Sequence, residues 1–540
     1  MRPRCSSRTP SWPGAVDGRG TGTAARGSSR GPKGSITMAV LLLSVVFAGL
    51  GLAMVHASGV HMKINAFRRF SALLDCASEN GLKRGLLDLT RRLEATGLAA
   101  PVTDGRLDAF RAGPAAGFAP LLEEAWGPVF PRFLGESFDG MFWESRADCA
   151  FSRLEDRRGH VRIAAALRIE ASGGLARTRA RRRSTLEASL GLLAGRLPLP
   201  AVPLHVKKAM SEAEKAAFLE DNGIELRARP GELIGPGLTA AADGVIPDDP
   251  GPLAAKALAV GVFRPGDLSP AELRRALGLE PSTEPVPDGV YLVETDFGLG
   301  GVFVQGDLDE MVLAVAGDAQ VVVFRAGGAA WRLEFSPARG RTVFETPDGS
   351  FGYDLVPLPI ILVNGAVASL GGGAVGPDGR VELAFGGETP AVLGCVDLTI
   401  VSADRVTISS DLVLEGVRWR DGVPYAKGGE AQLVIYAAGR DLVSGAAVEG
   451  GIVVAEGAPA DLKIQGSLTA AAGGFRIDGE GKTIELLGAL HADAFEGNGN
   501  RLALVRDDRA AAGEFPANAP VTAAPLLAVF SLKVLAWKEY

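Results

Sequence analysis

The five histidines are the residues best suited to metal binding or acid–base chemistry near neutral pH. His56 and His61 lie at the end of an apolar run, a position typical of a membrane boundary. His160, His205 and His491 are far apart in the sequence, and no pair has the helical or short-loop spacing of a zinc site. The sequence therefore predicts no metal site.

Two glycine clusters imitate parts of phosphate-binding loops. Gly298, Gly300 and Gly301 match part of a dinucleotide loop, and residues 371–373 match part of a phosphate loop. Neither cluster is followed by a helix-forming segment or by the Lys or Ser/Thr that would hold a phosphate. We interpret both as strand turns. The one Gly-x-Ser-x-Gly pattern, at 27–31, lies in the basic leader and is not the elbow between a strand and a helix that a nucleophile needs. The sequence therefore predicts no catalytic residue, no cofactor and no enzyme activity.

The four cysteines allow one disulfide. Cys5 precedes the apolar run and Cys76 follows it closely, which leaves Cys149 and Cys395 in the body of the chain. An exported body permits a bond between these two thiols, but their spacing does not fix their distance. The sequence therefore leaves undecided whether Cys149 and Cys395 form a disulfide.

An apolar run from Ser35 to Met62 contains no charged side chain and is long enough to span a bilayer. The residues before it are basic, with Arg2, Arg4, Arg8, Arg19, Arg26, Arg30 and Lys33 against the single acid Asp17. By the positive-inside rule, a basic leader at 1–34 stays cytoplasmic and everything after the span is exported across a bacterial inner membrane. The alternative is a cleaved signal peptide, with small residues at 57–59.

Helical periodicity continues beyond the predicted span at 35–62. From 63 to 98, apolar residues such as Phe70, Leu74 and Leu82 recur at spacings of three to five, which predicts an amphipathic helix. A continuous helix from Ser35 to Leu93 would be about 90 Å long. Gly81 and Gly85 are expected to weaken it.

The stretch from Lys33 to Leu86 resembles the N-terminal region of PilX-type pilus-assembly proteins. A basic residue and Gly precede the apolar span, and the segment CASENGLKRGL at 76–86 is similar to a family segment of the form A-x-x-A-E-x-G-L-x-x-A-L. The resemblance implies a pilin-like subunit that its helix holds in the membrane. It also implies a processing site between Gly34 and Ser35.

Major pilins carry an acid at the fifth position of the mature chain, and here that position is Ala39. Minor and tip-type pseudopilins can lack this acid, so the resemblance does not imply a major subunit. Gly49 and Gly51 are candidates for helix packing, because small residues let helices approach closely in a bilayer.

The body divides into a mixed α/β region at 99–285, a β-rich domain at 286–510 and a C-terminal extension at 511–540. In the first, 161–170 and 177–190 are predicted to be paired strands, and Ser211–Glu214 and Ser269–Glu272 have capping-box spacing. Five arginines between 177 and 183 are assigned mainly to a solvated face, with an acidic partner as the alternative.

The β-rich domain consists of short β-branched runs separated by glycines, such as 320–324, 360–363 and 433–436. From Leu398 these runs return every 10 to 20 residues, roughly, which suits a parallel β-solenoid, with a β-sandwich as the alternative. The fold class is therefore mainly β, with an α+β portion and one N-terminal transmembrane helix.

A second resemblance covers this domain. The stretches PDGVYLVETDFGLGGVFVQGDLDEM, LPIILVNGAVASLGGG, DLTIVSADRVTISSDLVLEG and KIQGSLTAAAGGFRI are similar to an exported domain of unknown function that is attached to PilX-type N-termini. The ending, with Asp508-Arg509, three prolines and Trp537-Lys538-Glu539, has the order found in that family. This resemblance implies that the domain is exported, and it implies no chemical activity.

Two functions are compatible with these features. The first is a non-enzymatic, membrane-anchored component of a type IV pilus or type II secretion-like assembly, with membrane lipid and other pilin-like subunits as partners. The alternative is a membrane-anchored surface or periplasmic binding and adhesion protein. The net charge of −7 predicts that nucleic acid is not a partner.

Overall fold

The computed structural model describes 17 ranges of the chain, and every structural statement below concerns these residues. They are 35–95, 99–127, 132–137, 141–157, 160–175, 180–227, 238–240, 245–247, 249–260, 266, 269–295, 298–385, 389–420, 423–426, 431–507, 509–510 and 514–539. The predicted leader at 1–34 lies outside them. The chain forms two compact units that divide between Ala72 and Leu73.

The helices include one that is much longer than the rest. They are α1 Ser35–Ala95, α2 Asp104–Ala112, α3 Pro114–Trp126, α4 Glu212–Asp221, α5 Gly251–Ala257 and α6 Pro270–Ala276. The 61-residue α1 is unbroken, which confirms the continuous helix predicted from Ser35 to Leu93. Both predicted capping boxes are present, at the starts of α4 and α6.

Among the described residues, α1 is the one helix long and apolar enough to cross a membrane, with a mean hydropathy of 2.6 in its most apolar window. None of that window is buried. These properties are consistent with a single transmembrane span near the N-terminus.

The strands account for most of the regular structure. They are β1 Ala99–Pro101, β2 Arg132–Ser137, β3 Met141–Arg157, β4 His160–Leu175, β5 Arg181–Gly195, β6 Leu204–Val206, β7 Ile224–Leu226, β8 Leu238–Ala240, β9 Gly289–Thr295, β10 Gly298–Gln305, β11 Glu310–Ala316, β12 Ala319–Ala326, β13 Ala329–Ser336, β14 Arg341–Thr346, β15 Gly349–Tyr353, β16 Ile360–Asn364, β17 Val367–Val375, β18 Val381–Leu383, β19 Pro390–Val392, β20 Asp397–Ser402, β21 Val406–Ile408, β22 Val413–Leu414, β23 Val417–Arg420, β24 Val423–Ala426, β25 Gln432–Ala437, β26 Ile452–Val454, β27 Asp461–Ile477, β28 Thr483–Glu496, β29 Arg501–Val505 and β30 Leu526–Glu539.

The first sheet is antiparallel, with six described strands in the order β1-β30-β5-β4-β3-β2. β4 pairs with β3 on one side and with β5 on the other along almost its whole length. The strand predicted at 161–170 and the described part of its predicted partner are therefore confirmed as β4 and β5. β30, from the far end of the chain, lies between β1 and β5.

Twenty described strands form a second, mixed network. One series of parallel pairs runs through β10, β16, β20, β25, β27, β28, β6 and β8. A second parallel series runs through β11, β17, β21, β26 and β27. Strands β11 to β15 form an antiparallel meander. The prediction of a mainly β fold is confirmed, with large mixed sheets.

Register in the first parallel series stacks aliphatic side chains at one equivalent position on every strand. The stack consists of Val302, Ile361, Ile400, Ile435, Leu468, Leu490, Leu204 and Leu238. All eight are buried in one hydrophobic core. Because a slip of one residue would turn every stacked side chain to the other face, this core fixes the register.

The two glycine clusters lie within strands, so their interpretation as turns was wrong. Gly300 and Gly301 belong to β10, and residues 371–373 belong to β17. A Cβ at Gly301 would lie 2.5 Å from the carbonyl oxygen of Ile360. The glycine is needed because the neighbouring backbone approaches too closely for any side chain.

Candidate functional site

The first unit presents an uncovered apolar helix surface. Large apolar side chains from Met38 to Phe67 are exposed, and Leu50 keeps 51% of its surface accessible. A Cβ placed on Gly49 or Gly51 would have no atom within 4 Å, so both positions are open to an approaching neighbour. Ser35 is the first residue of α1, and Gly34 lies outside the described residues.

In the second unit, the last part of α1 packs on the antiparallel sheet. Leu82, Leu89 and Leu93 are fully buried in a core that they share with β4, β5, α2 and α3. Leu87, on the other side of the helix, is 41% exposed. The amphipathic pattern predicted for this segment therefore corresponds to a sheet-facing side and a solvent-facing side.

Glycines set the distance between helix and sheet. A Cβ on Gly81 would lie 3.0 Å from Ala171 Cβ, and one on Gly85 would lie 2.7 Å from Ser145 Oγ. On the sheet side, Gly173 faces the α1 backbone at Ala77 and Ser78. The sequence predicted only that the two helix glycines weaken α1, whereas both face the sheet. Gly81 and Gly85 are four residues apart, and residues with this spacing share one face of a helix. This spacing was the sequence signal for a common contact surface.

Polar contacts join the same surfaces. The Arg182 guanidinium lies 2.5 Å from the Asp75 carboxylate of α1, and both side chains keep about a third of their surface exposed (34% and 35%). Ser184 Oγ donates a buried hydrogen bond to Ser78 Oγ (2.9 Å). Arg182 thus binds an acid of its own chain, so the assignment of the arginine cluster to a solvated face fails for this residue. Arg181 and Arg183 are exposed, and residues 177 and 179 lie outside the described part.

The candidate disulfide is not formed. Cys149 on β3 and Cys395 before β20 are both free thiols. Cys149 packs against the core under α1, and burial raises its pKa to about 12. Since the thiolate is the reactive form, Cys149 is an inert core residue near neutral pH.

Two histidines that are far apart in the sequence become neighbours. His491 on β28 and His205 on β6 occupy paired positions of parallel strands, with 0% and 1% of their surfaces exposed. His491 Nε2 lies 2.6 Å from the Val202 carbonyl oxygen, and its Nδ1 lies 3.1 Å from Thr469 Oγ1. A carbonyl can only accept, so the neutral tautomer donates from Nε2 and accepts from the threonine at Nδ1.

Burial lowers the pKa of both rings, to about 4 for His491 and to about 3 for His205. Repulsion from His491 and Lys207 lowers the pKa of His205 further, while a hydrogen bond to the Thr239 backbone acts in the opposite sense. The described residues contain no group of three or more His, Cys, Asp or Glu placed to hold a metal. The pair is a neutral element of the core, and sequence spacing could not reveal it because strand register creates it.

An open cleft of about 470 Å³ lies between β9 and the β13–β15 meander. We call it the aromatic cleft, because its walls include Tyr291, Trp331, Phe344, Phe351 and Tyr353. Three acids, Asp288, Glu294 and Asp348, line the same space. Sequence reasoning missed the cleft, because its walls are separate short runs that only the meander brings together.

Comparison with family models, with curated proteins and with solved structures gives no match for this chain.

Proposed function

We propose that this protein is a non-enzymatic, single-pass inner-membrane component of a type IV pilus or type II secretion-like assembly. The observation that supports this most is the division of α1. Its first part exposes apolar residues throughout, whereas its last part is fixed to a folded sheet. A helix of this kind can pack against other apolar helices in a bilayer while a folded body remains outside.

The basic residues before the span support a cytoplasmic N-terminus and an exported body. Ala39 stands where a major pilin has an acid, so we propose a minor or accessory subunit rather than the main polymer. Such a subunit joins through the fit of its helix. Gly49 and Gly51 are the positions where that fit is closest.

We also propose that the parallel strand series form a solenoid-like body. Stacked parallel strands with one aliphatic position repeated on eight strands support this arrangement. A body of this kind offers an elongated surface for display outside the membrane.

The test is in-membrane crosslinking at α1 in the native host, compared between the unmodified chain and the variants Gly49→Leu and Gly51→Leu. Both variants keep the span apolar, so we expect normal membrane levels. Residues two apart on a helix point in directions roughly 200° apart. A single neighbouring helix is therefore blocked by only one of the substitutions, and the other serves as its matched control.

The expected result is a loss of crosslinks to pilin-like subunits in at least one variant. Recovery of the unmodified chain with no pilin-like neighbour would refute the assembly role. The helix would then be an anchor only.

The second candidate function is a membrane-anchored surface or periplasmic binding protein. The aromatic cleft favours it, since its volume is in the range of roughly 300–1,000 Å³ that is typical of ligand sites. An anchor without neighbours together with a cleft that binds a ligand would support this alternative.

A further inference from the structure

We infer that the aromatic cleft binds a small organic ammonium group, either as a free ligand or as part of a larger one. The inference does not depend on the assembly role, because it concerns residues of the folded body alone.

The rings supply the first part of the site. Trp331 and Tyr353 are partly exposed, and Phe351 is 50% exposed. Aromatic faces carry negative electrostatic potential, so several rings around one space attract a cation as well as apolar groups. Exposed rings grouped on a concave surface are also costly to leave in water, which indicates an occupant.

The carboxylates supply the second part. Asp288, Glu294 and Asp348 are exposed, and none of them forms an ion pair with a described residue. The Tyr353 hydroxyl donates to Glu294 Oε1 (2.7 Å), which holds one acid at the wall beside a ring. On the neighbouring strands, Glu334 is paired with Arg332, whereas Glu345 on β14 forms no ion pair with a described residue and lies outside the cleft lining.

The charge of the lining decides between classes of ligand. Among the described residues, no Lys or Arg lines the cleft, so an anion would find three carboxylates there and no counter-charge. Arg274, whose positive charge acts on Tyr291 but which is not part of the lining, donates to the carbonyl oxygens of Glu280 and Pro285 and is thereby held by backbone. A neutral sugar could stack on the rings but would gain nothing from the net negative charge. An ammonium group uses both the rings and the acids.

The experiment is titration calorimetry of the full chain in phosphatidylglycerol nanodiscs, whose lipid has no ammonium head group. The probes are choline, its uncharged carbon analogue 3,3-dimethylbutan-1-ol, and methyl β-glucoside, with empty nanodiscs as the blank. We expect choline to bind saturably and the uncharged analogue to bind about 2- to 30-fold more weakly, the range expected for a cation–π contact. Equal binding of the two, or binding of the glucoside alone, would overturn the inference.

Variants locate the binding. Phe351→Ala removes a half-exposed ring and should leave the fold intact while weakening choline binding by about 2- to 30-fold. Glu294→Gln should weaken choline binding and leave binding of the uncharged analogue unchanged. Glu345→Gln makes the same charge change on β14 outside the cleft lining and is the matched control. If Glu345→Gln weakens choline binding as much as Glu294→Gln does, general surface charge explains the binding and the cleft does not.

Discussion

His205 and His491 show how strand register places titratable groups where the surroundings cannot tolerate their charge. Both rings are buried side by side, and their polar contacts are with backbone groups and a threonine rather than with an acid. Protonation of either ring would therefore put an uncompensated positive charge into the core. Both histidines are therefore neutral members of the core near pH 7.

The pair makes stability depend on pH. The pKa of each ring is lowered in the folded chain, to about 3 and about 4, from the ordinary value of 6.5. The unfolded chain therefore binds more protons below pH 6.5, and the stability that is fully present above this pH is lost as the pH falls toward 4. Each ring should contribute a loss of about 1.4 kcal/mol per pH unit in this range.

Urea unfolding followed at pH 7.5, 6.0 and 5.0 measures this dependence. His205→Gln removes one titrating ring and should flatten the slope, although it also lowers stability at pH 7.5. His61→Gln, on the exposed part of α1, is the control for the loss of a histidine far from the pair. Equal slopes for all three proteins would show that the histidine pair does not titrate during unfolding.

At the scale of elements, the contact between α1 and the sheet depends on the absence of side chains. Gly173→Ala would place a Cβ against the α1 backbone, 2.7 Å from the carbonyl carbon of Ala77. Backbone cannot move aside as a flexible side chain does, so we expect a loss of about 1–3 kcal/mol in unfolding free energy. Thermal or urea unfolding measures it.

Gly105→Ala, in α2, is the matched control, because a Cβ there would meet no atom within 4 Å. It should be neutral or stabilise the protein by up to about 1 kcal/mol. Similar effects of the two substitutions would mean that helix and sheet can separate freely at Gly173.

Local sequence patterns predicted which helices and strands form better than they predicted which strands pair with each other. Capping boxes at Ser211 and Ser269 and the continuous α1 follow from residues that are close in sequence, and the structure has them. The place of β30 between β1 and β5 could not be predicted, since pairing between distant strands leaves no local periodicity. For the same reason, the sequence could not reveal the histidine pair, which strand register creates, or the aromatic cleft, which the meander creates.

At the scale of the whole molecule, the basic residues before α1 predict that the C-terminus is exported. A reporter active only outside the cytoplasm, fused after Tyr540, should therefore be active. The matched control is the same fusion to a chain in which the seven basic leader residues are replaced by neutral ones. We expect that control to lose its uniform orientation. Activity of a cytoplasm-only reporter on the unmodified chain would refute the proposed topology.

The position of β30 has a consequence for the order of events during synthesis. The ribosome makes β5 early, but its neighbour β30 emerges only after residues 196–525 have been made, which takes roughly 15 to 70 seconds at about 5 to 20 residues per second. During that interval α1 and β3 to β5 can pack together, but the edge of β5 stays unpaired. Its free backbone N–H and C=O groups can pair with a strand of another chain. Until its final residues have been made, the nascent chain therefore carries an open strand edge that is prone to pairing with other chains.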